Sequence, residues 1–409
     1  MKKIILYAVT ASIICSIYAC NKDDAGKEDK PFEFIELTAK QAEKVSADNR
    51  FSFKMFKEVS EENTFFSPFS LNMALGMLYN GTSGDTRTEM AEALGMAGLT
   101  EAEINEYYQK ISQALLKIDP LTDMSIANSI WYRSGFPVKK PFIDLNKNYF
   151  DAEVRDLDFN RNDAADIINK WCAEKTKDRI KGIIASPIPD EIVMYLINAL
   201  YFKSQWQFQF DKAYTKQEDF ATAGNPTTVN MMTQTSNLPY YSDQYLQCVE
   251  IPYGNQAFSM VAILPAHDSS IDQLIEYLDY TVWENIVKNM HEQNVWLKLP
   301  RFKIECDIPL NDPVINAGMQ LIFDKDLADL SNISDVHLFV SNIKQKTFVE
   351  VNEEGTEAAA VTVIGFGSTS SGGGNMSIPF FANRPFLYLI KEKSTGAILF
   401  IGRMDEPKE

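Results

Sequence analysis

The stretch Val351-Asn352-Glu353-Glu354-Gly355-Thr356-Glu357-Ala358-Ala359-Ala360 changes character halfway along. Its first half is rich in carboxylates, and its second half collapses to the smallest side chains. The trend continues through Gly365, Gly367, Ser368 to Ser371 and Gly372 to Gly374. A segment this small from Gly355 to Ser377 cannot fill a core and is expected to be a long exposed loop. Long loops inside a folded domain tend to carry function. No Arg or Lys stands between Glu357 and Arg384.

Strand patterns flank that loop. Upstream, Val295, Leu297 and Leu299 alternate with Trp296 and Lys298, and Phe302 and Ile304 continue past Pro300. Phe258 to Leu264 is a short apolar run. Downstream, Pro385 to Ile390 and Ala397 to Ile401 are joined by a polar turn holding Ser394-Thr395-Gly396, a hairpin pattern. The first part of the chain reads as helical instead. Phe51, Met55 and Val59 share one helical face, as do Leu71, Ala74, Leu75 and Leu78, with Gly81 as a stop. Thr86-Arg87-Thr88-Glu89 has the form of a capping box before Met90 and Leu94. Helices and strands do not alternate regularly, so the class is α+β, in a single domain over residues 39–409.

The first residues read as a leader. Lys2 and Lys3 precede an apolar run from Ile4 to Ile17, and Ile17-Tyr18-Ala19-Cys20 resembles a bacterial lipobox. Residues 1–19 are therefore expected to be a lipoprotein signal peptide, with Cys20 the lipid-bearing residue. The polar run after Cys20 makes residues 20–38 a flexible tether. The expected location is the cell envelope, anchored to an outer membrane and exposed at its surface.

Charge and composition narrow the function. A net charge of -17 over 409 residues, with no basic run beyond Lys2-Lys3, argues against a phosphate-binding surface, so nucleic acid is not an expected partner. His267, His291 and His337 show no metal-ligand spacing, and neither G-x-S-x-G nor a P-loop occurs. Once a leader is removed and Cys20 acylated, Cys172, Cys248 and Cys306 remain. They form no disulfide framework and read as small buried hydrophobes. No metal, cofactor or catalytic constellation is expected.

The opening stretch closely resembles the hinge of inhibitory serpins, and the likeness runs from roughly residue 40 to 407. Asn63-Thr64-Phe65-Phe66-Ser67-Pro68-Phe69-Ser70, Asn80-Gly81-Thr82-Ser83-Gly84-Asp85-Thr86 and Ile197-Asn198-Ala199-Leu200-Tyr201-Phe202-Lys203 with Trp206 are similar to family signatures. So are Pro300-Arg301-Phe302-Lys303-Ile304, Ala328-Asp329-Leu330-Ser331, Asn383-Arg384-Pro385-Phe386 and Leu399-Phe400-Ile401-Gly402-Arg403.

The resemblance implies three β-sheets with eight or nine helices and an exposed reactive-centre loop, about residues 353–378. It implies a monomeric suicide-substrate inhibitor, not an enzyme, that forms a covalent acyl-enzyme with a target serine protease. The cut loop then enters the central sheet as a new strand. Such a strand needs an uncharged inward set, here Thr356, Ala358, Ala360, Thr362, Ile364 and Phe366. Glu357, Ala359, Val361 and Val363 face outward. Glu353, beside Glu354 and Gly355 in the hinge, is expected to pair with Arg301, and Trp206 marks the breach. Ser67, Ser70 and Asn198 match the shutter, with Gln345 in the place of a histidine. The amide keeps a hydrogen-bonding role without a titratable group.

Counting from the hinge places the scissile bond at Thr369–Ser370, with Ser368 and Phe366 as alternates; counting back from Pro385 gives about Gly374. Small residues there suit elastase-like or subtilisin-like proteases, and Phe366 a chymotrypsin-like one. The competing reading is a non-inhibitory serpin-fold binding or carrier protein.

Overall fold

Three helices of the protein begin with one device. Thr38, Thr100 and Ser270 each accept the N–H of the residue three positions on, and Gln41, Glu103 and Gln273 reach back to the cap's own N–H. Each exchange satisfies two donors that the first helical turn leaves free. The capping box expected at Thr86–Glu89 is not formed. The helix Gly84–Ala93 starts earlier, and Thr86 sits in its first turn. There its hydroxyl accepts the Asp329 N–H at 2.9 Å, while Glu89 accepts the Leu321 N–H at 2.7 Å. Tertiary partners outcompete the local pairing.

The computed structural model describes residues 33–356 and 377–409. Cys20 and the leader lie outside the described residues. So do Glu357, Ala358, Ala359, Ala360, Thr362, Ile364, Phe366, Ser368, Thr369 and Ser370. Residues before 39 also contact the domain: the Ile35 N–H donates to Ser394 Oγ at 3.0 Å, and Thr38 caps the first helix.

Nine α-helices and two 3-10 turns surround two hydrogen-bonded sheets among the described residues. One sheet runs Phe302–Pro309, Lys344–Val351, Gly355–Thr356, Met194–Gln205, Asp123–Arg133, Glu153–Leu157. The other runs Phe65–Phe66, Ile398–Met404, Phe386–Glu392, Phe258–Pro265, Leu246–Pro252, Thr227–Ser242, His291–Pro300, Ile378–Phe381, with Lys216–Phe220 beside Thr227–Ser242. Three sheets become two networks because one 16-residue strand serves two layers. Thr227–Ser242 pairs with His291–Pro300 from Met231 to Tyr240, and with Leu246–Pro252 only from Tyr240 to Ser242.

The main core lies between the sheets and the first helices, where Phe51, Met55, Val59, Leu71, Leu75 and Leu78 are all buried. A separate core, with Trp131, Trp171 and Ile197, packs helix Ala164–Lys175 on the outer face of the six-stranded sheet. The expected hairpin forms between Phe386–Glu392 and Ile398–Met404, with Tyr388 opposite Gly402. Glu392 fixes its turn by accepting the N–H groups of Ser394 and Thr395, each at 2.7 Å. No helix among the described residues is long and apolar enough to cross a membrane.

A Cβ on Gly402 would lie 2.4 Å from Cζ of the buried Tyr388 ring. Gly402→Ala should therefore destabilise the fold by about 1–3 kcal/mol through overpacking, seen as a lower thermal midpoint.

Candidate functional site

The chain reverses direction immediately after Val351. Asn352 Oδ1 accepts the N–H groups of Glu354 at 3.0 Å and Gly355 at 3.3 Å, an Asx turn. The Asn352 N–H donates to the Gly355 carbonyl at 3.0 Å and closes the reversal. Val351 then faces Thr356, while Gly355 and Thr356 face Gln205 and Ser204 on the other side. These two residues are antiparallel to both neighbours, so Met194–Gln205 and Lys344–Val351 run parallel to each other. At this level they stand two strand spacings apart, roughly 9–10 Å.

Gly355 and Thr356, expected to open the exposed loop, are instead a buried strand. Position 355 admits only glycine: a Cβ there would lie 2.1 Å from the Ser204 carbonyl oxygen. Thr356 points into the core, and its hydroxyl shares a 2.6 Å hydrogen bond with Tyr253. Burial pushes the Tyr253 phenol far above its ordinary range, so it meets Thr356 neutral.

Trp206 clamps the turn from outside. Its indole N–H donates to the Asn352 carbonyl at 2.8 Å, its backbone N–H donates to the Glu354 carbonyl at 2.9 Å, and its ring stacks on Tyr253 at 4.4 Å. The two acids of the hinge are both held. Arg301 Nε reaches both oxygens of Glu353 at 2.8 Å, and its Nη2 reaches Oε1 at 2.6 Å. Thr215 donates a further bond to Glu353 at 2.6 Å, and Lys212 lies 2.6 Å from Glu354. Glu353 is only 1% exposed. Burial would raise its carboxyl, but the Arg301 guanidinium and the Thr215 hydroxyl outweigh burial and hold it below the usual range.

The shutter residues do not all meet. Ser67 caps helix Pro68–Tyr79 by accepting the Ser70 N–H at 3.2 Å, and its hydroxyl donates to the Leu399 carbonyl at 2.8 Å. Gln345 grips the Ser67 backbone with both ends of its amide, accepting the N–H at 2.7 Å and donating to the carbonyl at 2.9 Å. Asn198 instead donates to Asn128 at 2.6 Å, which donates to the Phe150 carbonyl at 2.6 Å. Its Oδ1 is buried without a hydrogen bond among the described residues. Asn198 is thus not joined to Ser67 and Gln345, because Asn128 faces it directly in the strand register. Of the cysteines, Cys172 and Cys248 are buried, but Cys306 is only half-buried and its sulfur accepts the Phe65 N–H at 3.3 Å.

Sequence reading missed the turn role of Asn352 and the partners Thr215, Lys212 and Tyr253. Asn before a glycine three residues on is a readable turn signal. The other three come from distant segments that carry no pattern.

Removing one partner of a buried ion pair leaves an uncompensated charge, so Arg301→Ala should cost about 3–5 kcal/mol. The pH dependence has a definite sign. Glu353 titrates below its unfolded value of about 4.3, so its stabilisation is complete above that value and is lost as pH falls through the lower folded value. The gap in thermal midpoint between wild type and Glu353→Gln should stay flat above about pH 5 and close below about pH 4.

Known proteins share this architecture. The family model described as serpin (serine protease inhibitor) matches residues 46–407. Iripin-1 of Ixodes ricinus is 32% identical over 91% of this chain and 97% of its own length. A serpin-like protein of Thermococcus kodakarensis is 34% identical over 89% of this chain and 86% of its own. Among solved structures, the thermophilic serpin tengpin in its native state aligns with TM-score 0.82 at 32% identity, covering 95% of this chain and 100% of tengpin. Thyroxine-binding globulin complexed with thyroxine aligns at 0.79 with 26% identity, covering 90% of this chain and all of that one.

Proposed function

The chain belongs to the serpin family, whose members are mostly protease inhibitors, and on that premise we propose that it traps serine proteases as a suicide substrate. The hinge carries this reading, because Gly355–Thr356 already pairs with a strand on each side. Continuing that register after loop cleavage would set Ala358 between Phe202 and Val349, and Ala360 between Leu200 and Thr347. Phe202, Leu200, Val349 and Thr347 are buried, so the inward set meets a core face that takes small side chains. Thr362 would arrive between Asn198 and Gln345, where its hydroxyl can donate to the unpartnered Asn198 Oδ1.

The reaction needs no catalytic group from the inhibitor. The protease serine attacks the Thr369 carbonyl, an ester forms, the Thr369–Ser370 amide breaks, and the serine proton leaves on the Ser370 amine. Insertion then carries the acyl-enzyme away before water can release it. Each ladder hydrogen bond contributes roughly 0.5–1.5 kcal/mol net, and apolar burial adds to it. Over the inserted strand the sum rivals the whole stability of a typical domain, about 5–15 kcal/mol. The uncleaved form is on this account kinetically trapped. Thr369 and Ser370, with no basic residue in the loop, favour elastase-like or subtilisin-like targets. Lipid on Cys20 would hold the bait on a polar tether at an outer-membrane surface.

Mixing with an elastase or a subtilisin should give an SDS-stable complex, and loop cleavage should raise the thermal midpoint steeply. Mass spectrometry of the released fragment should find Ser370 at its new N-terminus. Ala358→Arg places a charge on the inward set and should turn the inhibitor into a plain substrate, cleaved without complex. Clean turnover of the wild type, with neither complex nor stability gain, refutes inhibition. For the anchor, labelled fatty acid should enter the wild type in cells and not Cys20→Ser.

A further inference from the structure

Tyrosines gather where strand Thr227–Ser242 turns into Leu246–Pro252. Tyr245, in the turn, is 48% exposed, and its ring lies 4.5 Å from that of the half-buried Tyr277, tilted by 35°. Tyr277 ends the helix Ile271–Tyr277. The half-buried Tyr241 completes the group, and two hydrogen bonds fix its position. Its hydroxyl donates to Asp243 Oδ2 at 3.0 Å and accepts from the Asn285 amide at 3.2 Å. Asp243 Oδ1 accepts the N–H groups of Tyr245 at 2.7 Å and Leu246 at 3.0 Å, which ties the turn to the same carboxylate.

The electrostatics of this group are one-sided. Burial, followed by the Asp243 carboxylate, raises the phenols of Tyr241 and Tyr277 above their ordinary range, so both rings are neutral. Asp279 acts on Tyr277 in the same direction. Neither Asp243 nor Asp279 has a cationic partner among the described residues, and Asp279 instead caps helix Tyr280–Asn289 through the Val282 N–H. Lys57 reaches the same helix end, where its ammonium donates to the Glu276 carbonyl at 2.7 Å. Aromatic faces beside uncompensated carboxylates attract a cation. The kind of cation follows from the hydrogen bonds. An ammonium or guanidinium brings several N–H donors that each need an acceptor, whereas Asp243 already accepts three bonds. A quaternary ammonium has no N–H and needs only aromatic faces and negative potential.

We propose that Tyr241, Tyr245 and Tyr277 with Asp243 form a binding site for a small quaternary ammonium compound of the choline type, carrying a net positive charge. The exposed Asp243, Glu276 and Asp279 carboxylates disfavour a zwitterion, whose phosphate or carboxylate they would repel. The site stands apart from the bait-loop reading and does not depend on it.

Isothermal titration of the full chain with choline, its uncharged tert-butyl isostere, ethanolamine and phosphocholine tests the assignment. Choline should bind at a single site, and each of the other compounds should bind about tenfold more weakly or worse. Tyr245→Ala and Asp243→Asn should each weaken choline about tenfold, with Tyr245→Phe close to wild type. Asparagine at 243 keeps an oxygen for the turn N–H groups, and the thermal midpoints of the variants verify folding. No choline binding by the wild type, or unchanged binding by Tyr245→Ala and Asp243→Asn, overturns the site. Equal binding of the tert-butyl isostere overturns the attraction of a cation to the rings. Equal binding of ethanolamine or phosphocholine overturns the quaternary, net-positive ligand.

Discussion

Everything at the top of the six-stranded sheet depends on a carboxylate held in a place that would otherwise reject it. Glu353 is buried, and an unpaired charge there would be strongly unfavourable. The Arg301 fork and the Thr215 hydroxyl remove that penalty. With Glu353 fixed, its carbonyl accepts the Phe210 N–H and the Glu354 carbonyl accepts the Trp206 N–H, each at 2.9 Å. The Asx turn is then locked, and Thr356 meets Ser204 and Val351 in one register. A slip of one residue would turn Glu357 inward in place of Thr356. The ion pair therefore acts as a register pin for the strand that the loop would become.

The strands beside the hinge are anchored farther down by different means. Lys344–Val351 is tied through Gln345 to the backbone of Ser67, at the start of a helix. Met194–Gln205 is tied through Asn198 to Asn128 and on to the Phe150 carbonyl.

How much was legible in sequence followed how local the determining physics is. The alternation of Val295, Leu297 and Leu299 and the hairpin turn at Ser394-Thr395-Gly396 could be read because their periods and turn residues are written within a few positions. The Arg301 partner of Glu353 was reached through family likeness, as 52 residues separate the two and no pattern links them. The Thr86 capping box failed although its letters were right, because Asp329 and Leu321 offered better partners to Thr86 and Glu89. The small residues from Gly355 on suggested loop, whereas the missing side chain of Gly355 serves close approach to Ser204. The same composition supports both readings, and only the neighbouring strand decides.

The strand order also bears on how the chain can be made. Ile398–Met404 is buried throughout and lies between Phe386–Glu392 and Phe65–Phe66, so a late segment of the polypeptide sits beside an early one in the sheet interior. Ser67 also needs the Leu399 carbonyl for its hydroxyl. Until Ile401 and Gly402 have been synthesised, Phe65 and Phe66 have no strand to join. Contacts of such sequence separation form slowly and leave apolar surface open meanwhile. A shortened product ending before Ile398 would leave those early phenylalanines without their strand partner, making it a ready substrate for quality-control proteolysis.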